Sequence, residues 1–81
     1  MTEIEIMERL GAIVAELGVN EKYITADTNL FSDGILDSIV AIDYLIRIEE
    51  EFGVNITMPV IEENKLGRLS SMTKYLETKM K

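Results

Sequence analysis

The sequence predicts an all-α fold, a small antiparallel four-helix bundle with three main helices, one short helix and a long first loop. Apolar residues recur at intervals of three and four along most of the 81 residues, which is the period of one helix face. Helix start and stop signals divide this pattern into segments, and the one proline stands where a helix is expected to begin. Residues 1–81 are therefore expected to form a single domain.

Composition narrows the function before any motif is considered. The chain is 47% apolar with a formal net charge of -7, which suits one small domain with its own core. It has no histidine and no cysteine, so the commonest general base and the thiol nucleophile are missing, and an enzyme is not expected. Any reactive thiol must come from outside the sequence. The excess of acidic over basic residues argues against binding to nucleic acid and favours partners with basic surfaces.

Targeting signals are not evident in the sequence. The start, Met1-Thr2-Glu3-Ile4-Glu5, is acidic and lacks the basic region and apolar run of a signal peptide. No segment approaches the roughly 20 apolar residues of a membrane span. A monomeric cytoplasmic protein without a membrane span is therefore expected.

The first helix is predicted to begin after Thr2 and to end near Leu17. Thr2 and Glu5 have the spacing of a capping box, and Gly18 is a typical terminator that tolerates a left-handed backbone. The predicted buried face follows the helical period and consists of Ile4, Met7, Leu10, Val14 and Leu17.

Residues 18–36 form a long connection, which is uncommon unless it is anchored or functional. Its predicted anchors are Tyr23, Ile24, Leu30 and Phe31, and Asp27-Thr28-Asn29 is expected to turn the chain. The acidic loop does not fit a calcium-binding EF-hand. With Gly34 as the required glycine, Phe31 and Val40 would occupy ligand positions, and neither coordinates a hard cation. No metal site is predicted.

The second helix is expected to begin at Ser38 with Asp37 as its N-cap, and to end at Phe52 before Gly53. Ala41, Leu45, Ile48 and Phe52 form its predicted core face. The Ser38 hydroxyl would then lie where the unsatisfied N–H groups and the positive end of the helix dipole point. An attached phosphate is favoured at such a place.

A second apolar stripe runs along the same helix. Ile39, Ile42 and Ile46 form it, and the carboxylates Asp43, Glu49 and Glu50 flank it. This pattern is typical of a docking strip for basic partners. A wide core face bordered by solvated charges explains it equally well, and the sequence leaves both interpretations open.

The C-terminal part is predicted to contain two helices. Residues 54–58 are expected to be an extended link, and Pro59 to begin a short helix that ends near Asn64. After a connection over residues 65–69, Ser70 is expected to cap a last helix. The buried stripe of that helix is predicted to be Met72, Tyr75, Leu76 and Met80.

Two stretches together resemble the acyl carrier protein family. They are DGILDSI at residues 33–39 and EEEFGV at residues 49–54, and the likeness extends over nearly the whole acidic chain. The family carries 4'-phosphopantetheine on the serine of an Asp-Ser-Leu motif, so the resemblance implies attachment at Ser38, with Ile39 in place of leucine. It also implies modification by a phosphopantetheinyl transferase, and loading and processing enzymes with basic docking patches.

The sequence departs from fatty-acid carriers at two positions. Those carriers usually have Leu-Gly-x-Asp-Ser-Leu followed by an acidic residue, whereas here the glycine is Gly34 and the acidic place holds Val40. The loop is more similar to D-alanyl and other aminoacyl carriers, and to some polyketide carriers. Fatty acyl, polyketide and aminoacyl cargo therefore all stay open.

A function of another class also fits the residues. Asp37 and Ser38 can form a helix cap without any chemistry, and the chain would then be a small acidic helical adaptor or inhibitor. Replacement of Ser38 by alanine separates the two hypotheses, because only a carrier requires the hydroxyl.

Overall fold

A computed structural model describes residues 1–19 and 24–80, so the predicted anchor Tyr23 lies outside the described residues. The helices are α1 (Glu3–Glu16), α2 (Ser38–Phe52), α3 (Met58–Asn64) and α4 (Leu69–Lys79). The all-α helical bundle predicted from the sequence is confirmed. Within the described residues, every helix is too short or too polar to cross a membrane.

The start of α1 has the predicted capping box. Thr2 Oγ1 accepts a hydrogen bond from the backbone N–H of Glu5 at 3.2 Å, and Glu5 Oε1 accepts from the backbone N–H of Thr2 at 3.3 Å. Hydrogen bonds from the Thr2 backbone and hydroxyl lower the pKa of the Glu5 carboxyl. At the other end Leu17 is the C-cap, and Gly18 has a left-handed φ of 79°.

The buried face of α1 differs from the prediction. Ile4 was expected in the core, but it is 73% exposed, whereas Ile6 and Ile13 are buried with Leu10 and Val14. Apolar residues cover two adjacent sides of this helix, and both sides match the helical period. Packing of α1 against α4 and α2, rather than its own sequence, selects the side that is buried.

The C-terminal helices begin earlier than predicted. α3 starts at Met58 with Pro59 in its first turn, and it ends at Asn64 as expected. α4 starts at Leu69 after Arg68, so the prediction that Ser70 caps it is wrong. A serine cap is not needed there, because the Ser70 N–H donates to the Ala26 carbonyl of the long connection at 3.1 Å.

All four helices and the long connection contribute to one apolar core. The buried residues are Ile6, Leu10, Ile13, Val14, Leu30, Leu36, Ala41, Tyr44, Leu45, Ile48, Phe52, Ile56, Ile61, Leu66, Leu69, Met72 and Leu76. From the connection, Leu30 is fully buried, and Ile24 and Phe31 pack against the core as predicted.

The long connection is fastened to the segment between α3 and α4. The Leu30 N–H donates to the Gly67 carbonyl at 2.8 Å, and Arg68 Nε donates to the Asp27 carbonyl at 3.0 Å. The Leu36 N–H then bonds back to the Leu30 carbonyl at 2.9 Å. These bonds fix the end of the connection and therefore the point at which α2 begins.

Candidate functional site

Ser38 is the first residue of α2, and its side chain is exposed. Asp37 precedes it as the N-cap, with extended backbone angles. Asp37 Oδ1 accepts from the Val40 N–H at 2.8 Å, and its carbonyl accepts from the Ala41 N–H at 2.8 Å. The predicted cap and helix start are therefore confirmed, and the hydroxyl stands at the edge of a rigid element.

The chain emerges from the core directly before this position. Gly34 has a left-handed φ of 71°, a backbone conformation that side chains disfavour, and it turns the connection toward α2. Leu36 is buried, with only 6% of its surface exposed, whereas Asp37, Ser38 and Ile39 are exposed. The serine is thus displayed at the surface next to an anchored residue.

The start of α2 is electropositive. The first N–H groups of a helix have no acceptor within it, and Asp37 satisfies the one on Val40. In the described part of the chain, no acceptor bonds the N–H groups of Ser38 or Ile39. Together with the dipole of a 15-residue helix, these groups favour an anion such as a phosphodiester on the Ser38 oxygen.

The second apolar stripe of α2 lies on the surface. Ile39 is 79% exposed, Ile42 56% and Ile46 48%, so a wide core face is excluded as its explanation. We call these three residues the isoleucine strip. The opposite side of α2 is buried as predicted, and Tyr44, which the sequence analysis missed, belongs to it.

The buried side of α2 contains a polar atom without a partner. Tyr44 is fully buried, and its hydroxyl makes no hydrogen bond within the described residues. Its ring packs against Phe31 with centroids 6.3 Å apart and planes tilted by 54°. Burial raises the pKa of the Tyr44 hydroxyl above its ordinary value.

The carboxylates that flank the isoleucine strip are only partly free. Asp43 is half-buried, and its Oδ1 accepts from Arg47 Nε at 3.1 Å. Glu49 Oε2 accepts from Asn55 Nδ2 at 3.0 Å. Glu50 is exposed, and its carboxylate forms no hydrogen bond or ion pair within the described residues.

Arg47 is the residue at this surface that the sequence analysis missed. Besides Asp43 it binds Glu16 of α1, with Nη1 2.7 Å from Oε2. The four-residue spacing of Asp43 and Arg47 on one helix is a readable signal for the first pair. The second pair joins two helices, and nothing in the spacing of the sequence indicates it.

Two grooves in the described part of the protein lie away from Ser38. A groove of about 380 Å³ lies between α1 and α4, with Ile4, Met7 and Thr73 among its lining residues. Another of about 280 Å³ lies between the long connection and α3. Neither is lined by Ser38 or by the isoleucine strip. The geometry suits display of a modified residue to other proteins.

Comparison with known proteins gives one consistent result. The family model described as phosphopantetheine attachment site matches residues 8–76. The acyl carrier protein of Thermotoga maritima is 31% identical over 77 residues, covering 94% of this chain and 93% of the relative. That of Thermosynechococcus vestitus is 31% identical over 81 residues, with coverage of 99% and 98%. That of Lactobacillus acidophilus is 29% identical, with 96% of each chain covered.

Proposed function

The chain belongs to the acyl carrier protein family, whose members are carriers with covalently attached 4'-phosphopantetheine, and from this premise we propose that Ser38 bears the group. The observation that carries the proposal is the exposed Ser38 hydroxyl at the electropositive start of α2. Residues 1–81 then act as one carrier domain. The domain presents an acyl or aminoacyl thioester to partner enzymes and performs no bond chemistry on the cargo.

The residues around Ser38 suit this attachment. In the active site of a separate phosphopantetheinyl transferase, Ser38 Oγ attacks the pyrophosphate of coenzyme A at the phosphorus that bears the pantetheine arm. The pyrophosphate P–O bond breaks, 3',5'-ADP leaves, and the serine proton is lost to the transferase. The free N–H groups of Ser38 and Ile39 offset the charge of the resulting phosphodiester. Asp37 keeps the first turn of α2 in place before and after modification. When bound, the group supplies the terminal thiol that the sequence lacks, and this thiol holds cargo as a thioester.

Partner enzymes dock on the isoleucine strip, beside which Asp43, Glu49 and Glu50 lie. An exposed apolar strip that begins beside the modified serine gives each partner a contact close to the tether. Docking is weak and brief, because a carrier must leave one enzyme to reach the next. Once docked, the tether raises the effective concentration of cargo at the active site.

The cargo we propose is an acyl group of fatty acid, polyketide or related biosynthesis. An aminoacyl group such as D-alanyl is the second candidate, and a specific feature favours it. The glycine of the preceding loop is Gly34, and Val40 replaces the acidic residue that is usual in fatty-acid carriers. Intact mass spectrometry of the protein from its own host, before and after thioester cleavage, distinguishes these cargoes.

The attachment is tested with apo protein, coenzyme A, magnesium and a broad-specificity phosphopantetheinyl transferase. We expect the wild type to gain the mass of one phosphopantetheine and Ser38→Ala to gain none. Ser32→Ala is the matched control, because Ser32 is an exposed serine of the preceding loop, and it should be modified like the wild type. An unmodified wild type, or a modified Ser38→Ala variant, would refute the proposal. The adaptor hypothesis predicts instead that Ser38→Ala keeps full function.

A further inference from the structure

The groove between the long connection and α3 has more cationic than anionic side chains, although the chain as a whole has a formal net charge of -7. Among the described residues, Lys65 and Arg68 line it with one carboxylate, Glu62, and all three residues are exposed. Phe31 and Ile61 also line the groove. A space of about 280 Å³ therefore combines apolar walls with an excess of positive charge.

Neither cation of this groove is neutralised by a carboxylate in the described part of the chain. The ion pairs there are formed by Arg9 and Arg47, and none of them includes Lys65 or Arg68. Arg68 Nε donates to the Asp27 carbonyl at 3.0 Å, which holds the side chain and leaves Nη1 and Nη2 without an acceptor. Both cations are thus available to an anion from outside the fold.

A side-chain amide adds another donor to the groove. Asn29 Oδ1 accepts from the N–H groups of Phe31 at 3.1 Å and Ser32 at 3.0 Å. Asn29 Nδ2 forms no hydrogen bond with any described residue, and neither does Ser32 Oγ. Because Asn29 and Ser32 belong to the long connection, unused donors come from both walls of the groove.

The backbone at Lys65 supports a role for its side chain. Lys65 is the C-cap of α3 with φ 54° and ψ 50°, and within residues 1–19 and 24–80 it is the one non-glycine residue with a positive φ. This left-handed conformation costs a lysine free energy that glycine would not lose. Strain of this kind is typical of functional positions, and here it accompanies an unpaired charge.

The groove lies within reach of a tether on Ser38. The Leu36 N–H donates to the Leu30 carbonyl at 2.9 Å, so the chain returns to Leu30 two residues before Ser38. Phe31 and Ser32 of the groove directly follow Leu30, and the path from Ser38 through this bond to Phe31 is at most ~18 Å between Cα atoms. A phosphopantetheine arm has roughly 14 bonds from the serine oxygen to its sulfur and spans about 15 Å when extended, and the cargo adds to this length.

Resting on the proposed function, we propose that this groove is a subsite for an acyl cargo that ends in a carboxylate, with a few methylene groups between the carboxylate and the thioester. Lys65 and Arg68 bind the carboxylate, and Asn29 Nδ2 donates to it. The methylene groups lie against Phe31 and Ile61. Charged donors form the stronger hydrogen bonds to a carboxylate. An exposed pair is weak by itself, but the tether keeps the cargo at a high effective concentration.

The test compares two cargoes of equal length, glutaryl and pentanoyl, of which only glutaryl has a terminal carboxylate. Both are loaded from their coenzyme A thioesters by the broad-specificity transferase. In nitrogen-labelled protein we expect the NMR signals of the Asn29 side-chain amide and the Lys65 N–H to shift in the glutaryl form and not in the pentanoyl form. Free glutarate at the concentration of the protein, added to holo protein without cargo, should leave these signals unchanged. An equal shift with free glutarate would make the tether unnecessary and overturn the inference.

Thermal denaturation provides the deciding comparison. The Tm of the glutaryl form minus that of the pentanoyl form should be about 2–4 °C greater in wild type than in Lys65→Asn, because asparagine tolerates the left-handed backbone but has no charge. Lys74→Gln removes the same charge from an exposed position on α4, outside this groove, and should keep the wild-type difference. The same difference in wild type and Lys65→Asn would overturn the inference. A wild type that gains no mass would instead refute the proposed function, which keeps the two failures apart.

Discussion

The side chain of Asn29 lies against the backbone of Gly67, so closely that a Cβ built on Gly67 would come within 2.8 Å of Asn29 Cγ. Asn29 Oδ1 accepts hydrogen bonds from the N–H groups of Phe31 at 3.1 Å and Ser32 at 3.0 Å. The adjacent Leu30 N–H donates to the Gly67 carbonyl. This contact therefore links the shape of the long connection to the segment that leads into α4.

Gly67→Ala should lower the free energy of unfolding by about 1–3 kcal/mol. The added methyl group would push the Asn29 side chain away, and the N–H groups of Phe31 and Ser32 would then lose their acceptor. Chemical denaturation followed by circular dichroism measures the change.

The matched control is another glycine-to-alanine change. Gly11 lies within α1, and a Cβ there meets no atom within 4 Å, so Gly11→Ala should stabilise the protein by about 0.5–1 kcal/mol. In an Asn29→Ala background the cost of Gly67→Ala should largely vanish, because the clash is gone. If that cost persisted, steric contact with Asn29 would not be its cause.

Tyr44→Phe should raise the free energy of unfolding by about 1 kcal/mol at neutral pH. The Tyr44 hydroxyl is buried without a hydrogen bond in the described part of the protein, so its removal relieves a desolvation cost. Tyr75→Phe on α4 is the control, since Tyr75 is only half-buried. A loss of stability in Tyr44→Phe would show that the hydroxyl has a partner.

The same residue gives a prediction for alkaline pH. Burial holds the pKa of Tyr44 above its ordinary value of 10.0, so the folded protein keeps the proton when the unfolded chain loses it. The wild type therefore keeps its neutral-pH stability below pH 10 and loses stability as pH rises further, by about 1.4 kcal/mol per pH unit until the pH reaches the raised pKa of the folded state. The difference in unfolding free energy between Tyr44→Phe and wild type should accordingly widen above pH 10. A constant difference would contradict the raised pKa.

Features with local signals could be predicted from the sequence. The first and last residues of α2 are as expected, because Asp37 caps one end and Gly53, with a left-handed φ of 69°, ends the other. The capping box at Thr2 is equally local. In each case the decisive contact lies within four residues along the chain, so short spacing rules apply.

Features decided by tertiary contact could not be predicted. The choice between Ile4 and Ile6 for the core depends on where α4 packs. The start of α4 depends on a carbonyl of the distant long connection. The pairing of Arg47 with Glu16 joins two helices through residues 31 positions apart in sequence, and no spacing rule indicates it.

The phosphodiester proposed for Ser38 should stabilise the fold, and substitutions at Asp37 measure by how much. In the apo form, Asp37→Ala should lower the unfolding free energy by about 1 kcal/mol, because the Val40 N–H loses its acceptor. Asp37→Asn keeps an acceptor oxygen there and should lower the unfolding free energy by only a few tenths of a kcal/mol.

The holo forms should behave differently from the apo forms. In wild type the phosphodiester gains from the free N–H groups of α2 but is repelled by the Asp37 carboxylate, so the two effects partly cancel. Asp37→Asn removes the repulsion, and Asp37→Ala also leaves the Val40 N–H for the phosphate to bind. The stabilisation on going from apo to holo should therefore increase from wild type to Asn to Ala, by about 0.3–1 kcal/mol per step. Thermal denaturation of the six proteins measures it, and equal stabilisation in all three pairs would mean that the phosphodiester does not interact with the start of α2.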